Sequence, residues 1–415
     1  MESSSTVVRA NLLAAFLAQL RSGAWLNRER VIAYGRLLFG LETVALIVIA
    51  LGTYGVFVPL DAPTSTDFLS FFSAGYLADQ GHAALIYDQH SHQLAEQAVF
   101  GDPKIPYSYW FFYPPTFVTY CALAALLPYL PSFYAWVGLT AAAYVLVLRK
   151  LLQDWPLVLA FCSFPAVFIT AGIGQNAFLT TAIFGAATLL IDRRPLTAGA
   201  ILGALCYKPH FLLIAPIALI AGRRWRALGG FAAAVAGCSG LSVLLFGWET
   251  WAAFLHLATT VTATFETGKV GFAGLISLFG AVRMLGGDIS LAYGVQALAA
   301  TAAGLLTAFA WWHDLSLPVR AMTLIAATLF SVPVILFYDL LPMTIALGWL
   351  VRDARKTGFL PWEKAALGVA WLIPMVSRGA GISAEIPLGP VATMTLLAFV
   401  TIRVAMDYSA KRRLA

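Results

Sequence analysis

The sequence predicts an all-α polytopic membrane protein, and two observations lead to that fold class. Of the 415 residues, 60% are hydrophobic and only 11% are charged, whereas soluble domains carry about a quarter charged residues. The apolar runs are also long, since residues 37–51 and 387–402 lie within stretches of the roughly 20 residues that a helix needs to cross a bilayer. The pattern predicts a bundle of about 10–13 transmembrane or re-entrant helices.

The distribution of charge predicts an orientation and a division of the chain. Arginines are scattered through segment 1–36, and further Lys and Arg clusters lie at the ends of apolar runs. Because cytoplasmic loops carry an excess of Lys and Arg, we expect a cytoplasmic segment 1–36, a single transmembrane domain 37–408 and a cytoplasmic tail 409–415. The first span is expected to act as an uncleaved insertion signal. These clusters account for the net charge of +6, so no nucleic-acid partner is predicted.

Segment 59–113 differs from the rest of the chain because it is acidic. It contains six acidic residues and one lysine, which places it opposite the basic N-terminal segment, on the extracytoplasmic side. Helix-forming patterns at about 68–80 and 89–99 predict two short helices on the membrane surface.

Asp67 begins the first of these predicted helices, and it has two interpretations. Ser, Thr and Asp are the preferred residues at a helix N-cap, so Asp67 could have only a capping role. Ser65 or Thr66 could serve that role instead, which would leave the Asp67 carboxylate free on the first turn for a function. Ala74 and Gly75, further along the helix, would let another backbone or a ligand approach closely.

Lys208 is predicted at a break between two short apolar segments, 195–207 and 209–222. Pro209 disfavours a helical conformation for the residue before it, and broken helices at membrane depth usually line a ligand cavity. A lysine there is a compact cation suited to a phosphate, and His210 could donate to the same anion. The alternatives are a lysine that snorkels at a span end and a histidine that caps the loop.

Further polar and aromatic residues are candidates for binding sugar hydroxyls. An amide pair, Gln175 and Asn176, can both donate and accept hydrogen bonds, although amides at a turn also join neighbouring helices. The chain contains no nucleotide-binding motif, nucleophile elbow or zinc-binding helix, and its four cysteines lack metal-ligand spacing. The candidate sugar- or acceptor-binding residues are Tyr113, Gln175, Asn176, Tyr338, Asp339 and Arg378.

An ordered series of motifs resembles glycosyltransferase family 87, a group related to polyprenol-phosphate-mannose-dependent mannosyltransferases. The series is "DFLSFFSAGYLADQGHAALIYD" at 67–88, "YPPTF" at 113–117, "GQNAFLTTAIFGAATLLIDRRPLTAGAILGALCYKPHFLLIAPIALI" at 174–220 and "RRWRAL" at 223–228. The C-terminal half matches in hydropathy and in "FYD" at 337–339.

The resemblance implies a type C glycosyltransferase whose catalytic domain is 37–408 and whose active site faces the extracytoplasmic side. The aspartate that opens the first outer loop of the family is Asp67 here, the expected catalytic base. The family's lysine and proline are Lys208 and Pro209, near the carrier phosphate. No tightly bound cofactor is implied; the co-substrate is a polyprenyl-phosphate-linked sugar, and a divalent metal is compatible but not predicted.

The resulting expectation is an inverting hexosyltransferase of a bacterial inner membrane. The resemblance to the family makes mannose the expected sugar. Its partners would be the lipid-linked donor, a glycolipid or glycan acceptor and membrane lipids. The alternative is a transporter or flippase for a lipid-linked saccharide, which should show inverted repeats; no repeat stands out in the sequence. A membrane scaffold whose loop binds a partner is a third hypothesis.

Overall fold

The computed structural model describes residues 2–53, 66–100, 109–269 and 271–414. Within these ranges the regular structure is helical, and the one recorded β-contact is an isolated antiparallel bridge between Leu275 and Leu336. The predicted all-α fold class is confirmed. Parts of the predicted acidic loop, residues 59–65 and 101–108, lie outside the described residues.

Eighteen α-helices form in the described part of the chain. The first nine are α1 Glu2–Ser22, α2 Arg28–Thr53, α3 Thr66–Asp79, α4 Gln89–Phe100, α5 Pro115–Ala125, α6 Tyr129–Leu152, α7 Trp155–Cys162, α8 Pro165–Ile173 and α9 Ala177–Leu190. The other nine are α10 Pro195–Gly203, α11 Ile214–Ala221, α12 Trp225–Glu266, α13 Leu278–Met284, α14 Ile289–Trp312, α15 Leu317–Ser331, α16 Met343–Thr357, α17 Glu363–Ala384 and α18 Gly389–Leu414.

Six of the described helices are long and apolar enough to cross a membrane: α2, α6, α12, α14, α17 and α18. Helices α7 and α8 form a pair bent by 64°, because Pro165 begins α8 and its predecessor Phe164 is extended. The apolar stretch 116–130 does not form one span, since α5 has only 11 residues and the chain turns before α6.

The two short helices predicted in the acidic loop are present as α3 and α4. Helix α3 packs closely on α5, because Gly75 lies so near the Cys121 carbonyl that a Cβ there would clash with it. The close approach predicted at Gly75 is therefore made by a backbone and not by a ligand.

A buried polar contact joins α3 to α4. The hydroxyl of Ser70 lies 3.1 Å from Nε2 of His92, and Oε1 of Glu96 lies 3.4 Å from the same nitrogen. The Glu96 carboxylate also accepts a hydrogen bond from the Tyr109 backbone N–H at 3.0 Å. Because Ser70 and Glu96 share one ring nitrogen, there is no relay through both nitrogens as in a catalytic triad. This contact fixes the two helices together.

Two arginine clusters hold several helix ends together. In the first, Arg320 pairs with Asp192 at 2.8 Å and Arg224 pairs with Asp314 at 2.7 Å. The second is formed by Arg403, Asp353 and Glu363, whose two ion pairs both measure 2.6 Å. These clusters join the starts of α12, α15 and α17 to the ends of α9, α14 and α16 and to the middle of α18.

Candidate active site

Asp67 lies on the first turn of α3, and its carboxylate is held from a distant part of the chain. Its Oδ2 accepts a 2.6 Å hydrogen bond from Nε2 of Gln175, while the Thr66 hydroxyl lies 3.3 Å from Oδ1. The start of a helix also favours a negative charge. The structure therefore gives Asp67 a specific side-chain partner, which a helix cap alone would not require.

The orientation of the Gln175 amide is fixed by two donors. Its Oε1 accepts from the Tyr113 hydroxyl at 3.0 Å and from the Asn176 backbone N–H at 2.7 Å. Because Oε1 is the acceptor in both contacts, the amide NH₂ must face Asp67. The turn before Gln175 requires a glycine at position 174. The φ of Gly174 is +71°, in the left-handed region, and a larger residue there would place its Cβ against Phe68.

Lys208 lies between the 3-10 turns Ala204–Tyr207 and Pro209–Leu212, which confirms the predicted break. Its backbone is non-helical, with φ −125° and ψ 72°. Its Nζ lies 2.7 Å from Oδ1 of Asp339, and the residue is only 2% exposed. It is thus a buried, paired cation and does not snorkel to a surface.

Three aromatic rings surround the Lys208 ammonium. Nζ lies 6.0 Å from the ring centroid of Tyr113, 5.3 Å from that of Phe211 and 5.7 Å from that of Tyr338. Aromatic faces attract a cation at such distances. The rings and the carboxylate of Asp339 therefore enclose the ammonium on several sides.

Tyr113 connects the two parts of the site, because its hydroxyl contacts Gln175 and its ring faces Lys208.

Burial raises the pKa of the Asp67 carboxyl to about 6. The hydrogen bonds from Gln175 and Thr66 and the positive charge of Lys208 act in the opposite direction, and the negative charge of Asp339 adds to the increase. The carboxylate is therefore ionised near neutral pH but retains appreciable basicity. Such a group is suited to general base chemistry.

The site has a buried floor and a more accessible side. Gln175, Lys208 and Asp339 are buried, whereas Asp67 and Tyr338 are half-buried. A ligand that approaches from outside therefore meets Asp67 and the Tyr338 ring before it reaches the lysine.

The remaining predicted residues occupy different positions. Asn176 is fully buried, and neither atom of its side-chain amide has a hydrogen-bond partner among the described residues. His210 is exposed and lies against Phe211, with ring centroids 5.0 Å apart. Arg378 is also exposed, and its guanidinium carbon lies 5.8 Å from the ring of Phe337. The structure therefore brings together six of the nine predicted site residues: Asp67, Tyr113, Gln175, Lys208, Tyr338 and Asp339.

Sequence reasoning missed two aromatic residues of the site, Tyr207 and Phe211. The Tyr207 hydroxyl lies 2.8 Å from the hydroxyl of Thr180 and its ring packs on Phe117, while Phe211 forms one wall around Lys208. Their adjacency to Lys208 in "YKPHF" was the available signal, but an apolar context made them resemble ordinary core residues.

The site and the arginine clusters lie at opposite ends of the same helices. Helix α9 follows Gln175 and ends just before Asp192, and α15 runs from the first arginine cluster towards Asp339. Helices of 14 and 15 residues separate their ends by about 20 Å at 1.5 Å per residue. The polar site is therefore well separated from the helix ends that carry the first arginine cluster.

Among the residues that the structure describes, no group of three or more His, Cys, Asp or Glu side chains could hold a metal ion. The two carboxylates of the site already have partners, since Asp67 accepts from Gln175 and Asp339 pairs with Lys208.

The apolar helical bundle and its enclosed carboxylate and lysine define an integral membrane protein with a polar site between its helices. The chain belongs to glycosyltransferase family 87, whose model matches residues 111–338, more than half of its length. It is therefore a membrane glycosyltransferase. The match includes Tyr113, Gln175 and Lys208, whereas Asp67 precedes it. No curated protein and no solved structure matches the chain.

Proposed function

We propose that this glycosyltransferase moves a sugar, with mannose as the expected one, from a polyprenyl phosphate to an extracytoplasmic glycolipid or glycan. The observation that carries the proposal is the convergence of a basic carboxylate, Asp67, and a buried cation, Lys208, through Gln175 and Tyr113. A glycosyl phosphate donor needs both groups, because a proton leaves the acceptor while negative charge develops on the phosphate.

In the proposed reaction, Asp67 takes the proton from the acceptor hydroxyl as its oxygen attacks the anomeric carbon. The bond from that carbon to the phosphate oxygen breaks, and polyprenyl phosphate departs with the electron pair. A positioned base contributes about 10²–10⁴-fold in rate. Lys208 would stabilise the charge on the departing phosphate. Attack opposite the leaving group would invert the anomeric centre.

The proposed reaction takes place on the extracytoplasmic side of the membrane, with the N-terminus in the cytoplasm. The separation between the site and the arginine-rich helix ends supports this orientation, because Lys and Arg are enriched on the cytoplasmic side. A lipid-linked donor keeps its tail in the bilayer and presents its phosphate and sugar near the outer surface, where a site between helix ends is within reach. The inner membrane of a bacterium is the proposed location.

The test uses purified full-length protein with a polyprenyl phosphate that carries a radiolabelled sugar. Label should move to the acceptor, and polyprenyl phosphate should be released only when an acceptor is present. Asp67→Asn should lower the rate by about 10²–10⁴-fold, whereas Asp79→Asn, an exposed position on the same helix, should retain the wild-type rate. Equal rates for wild type and Asp67→Asn would overturn the base assignment. Movement of intact donor across a proteoliposome membrane, with no transfer, would indicate a flippase.

A further inference from the structure

The Lys208 ammonium is enclosed by protein groups in the observed arrangement. Its side chain is 3% exposed and that of Asp339 is 7% exposed, and the two are paired at 2.7 Å. The rings of Tyr113, Phe211 and Tyr338 cover other sides of the ammonium. A phosphate therefore cannot contact Nζ unless a neighbouring group moves away.

Electrostatics identifies which neighbour must move. The aromatic rings are neutral and can remain beside a lysine that is bound to a phosphate. The carboxylate of Asp339 cannot remain at 2.7 Å from Nζ without repelling the incoming phosphate, and two like charges held together at a dry site are unfavourable. Asp67 adds a second negative charge nearby, which makes a third anion still less favourable.

Asp339 has a local position to which its charge can withdraw. Its Oδ2 already lies 3.3 Å from the backbone N–H of Leu336, at the start of the 3-10 turn Phe337–Leu340. A rotation towards this N–H would leave the carboxylate hydrogen-bonded at the start of the turn, where acidic side chains are stabilised. The exchange therefore does not leave a buried charge without a donor.

We propose that Asp339 is an exchangeable counter-ion: the phosphate of the lipid-linked donor replaces it as the partner of Lys208, and the pair re-forms when polyprenyl phosphate leaves. This inference rests on the proposed function, because it assumes that the ligand carries a phosphate. Asp339 thereby remains the partner of the buried lysine when no phosphate is bound, and it lowers the affinity for the released product. It is a positioning residue for the donor and does not contact the acceptor.

The test measures binding rather than sugar transfer. A short-chain polyprenyl phosphate is titrated into wild-type protein and into Asp339→Asn, each purified in detergent, with the uncharged polyprenol as the control ligand. Loss of the competing charge should tighten phosphate binding by about tenfold or more and leave binding of the polyprenol unchanged. In turnover assays, the same variant should show stronger inhibition by polyprenyl phosphate and a lower kcat from slower product release.

Asp67→Asn is the matched control, because it removes the same charge from the same site without removing the partner of Lys208. It should tighten phosphate binding less than Asp339→Asn does. Unchanged or weaker phosphate binding by a folded Asp339→Asn protein would overturn the inference, since Asp339 would then support the phosphate site and not compete with it.

A density map of the wild-type protein with bound polyprenyl phosphate provides a test that needs no variant. The expected result is that the contact between Nζ of Lys208 and Oδ1 of Asp339 opens and a phosphate oxygen takes its place. A pair that stays at its present 2.7 Å with phosphate bound would contradict the exchange. Either result concerns this ion pair alone, whereas failure of the proposed function would appear as absent sugar transfer with Asp67 intact.

Discussion

Gln175 donates a 2.6 Å hydrogen bond from Nε2 to Oδ2 of Asp67, while the Tyr113 hydroxyl holds the other end of the same amide at 3.0 Å. One carboxylate oxygen is thus occupied, and among the residues that the structure describes Oδ1 has only the longer contact from Thr66. Gln175 therefore sets both the orientation of the proposed base and the stability of its charged form.

Gln175→Ala should shift the acid limb of the pH profile to higher pH. The base must be ionised to act, so activity should fall as the pH drops through the pKa of Asp67, about 6. The Gln175 hydrogen bond favours the charged carboxylate and lowers that pKa; its removal should therefore raise the pKa. The measurement is kcat/KM for the acceptor across the pH range. If the acid limb of Gln175→Ala lay at the same pH as that of the wild type, this would contradict the role of the hydrogen bond.

Tyr113→Phe should produce the same shift to a smaller extent. The variant keeps the ring beside Lys208 but removes one of the two donors that orient the Gln175 amide, so the hydrogen bond to Asp67 should weaken without being lost. Tyr134→Phe, at a residue 62% exposed, is the control and should leave the profile unchanged. A larger shift in Tyr113→Phe than in Gln175→Ala would mean that Tyr113 acts on Asp67 by another route.

Lys208→Ala should raise KM for the lipid-linked donor more than KM for the acceptor, because the ammonium is the proposed partner of the phosphate. Lys208→Arg keeps the positive charge, but a planar guanidinium differs in shape from an ammonium group. This variant should therefore retain only part of the affinity for the donor. The two Michaelis constants are measured separately, with thermal unfolding as a control, since loss of Lys208 leaves Asp339 buried and unpaired. A larger effect on the acceptor would assign Lys208 to the other substrate.

Arg403→Met should destabilise the fold without any direct effect on the chemistry. Arg403 is 2% exposed and holds two carboxylates, Asp353 and Glu363, and removal of one partner from a buried ion pair costs about 3–5 kcal/mol. The expected result is a clearly lower thermal unfolding midpoint in detergent. Lys356→Met, an exposed site on the same side of the fold, should unfold like wild type. Equal midpoints for both variants would show that the cluster contributes little.

A cysteine placed at Gln80, an exposed turn residue after α3, tests the proposed orientation. In a background without the four native cysteines, Gln80→Cys should react with a membrane-impermeant thiol reagent in intact cells. Lys356→Cys should be protected until the membrane is opened. The reverse pattern would place the site on the cytoplasmic side and contradict the proposed location.

Local patterns in the sequence predict the parts of this fold that depend on neighbouring residues. Helices α3 and α4 follow from short apolar repeats between turn residues, and the break at Lys208 follows from Pro209, since a proline restricts the residue before it. The length of α5 was not predicted, because hydropathy continues through the turn between α5 and α6. Apolar composition alone does not show where a helix ends.

The partners within the site could not be predicted from the sequence, because they join distant segments. Asp67 and Gln175 are 108 residues apart, and Lys208 and Asp339 are 131 residues apart. Each of the four was a candidate through its own local context, but no local pattern states which pairs meet. The ion pair changes the interpretation of Lys208 from a free cation to one that already has a counter-ion.

The central claim is that Asp67 activates the acceptor on one side of the glycosyl phosphate bond while Lys208 stabilises the phosphate on the other. It is tested most directly by a density map of Asp67→Asn with an intact polyprenyl-phosphate sugar. The substitution should slow turnover by about 10²–10⁴-fold and so retain the donor. The account predicts a phosphate oxygen within about 4 Å of Nζ of Lys208, the distance of an ion pair, and the anomeric carbon facing residue 67. A phosphate bound at the arginine clusters, or a sugar that points away from residue 67, would contradict it.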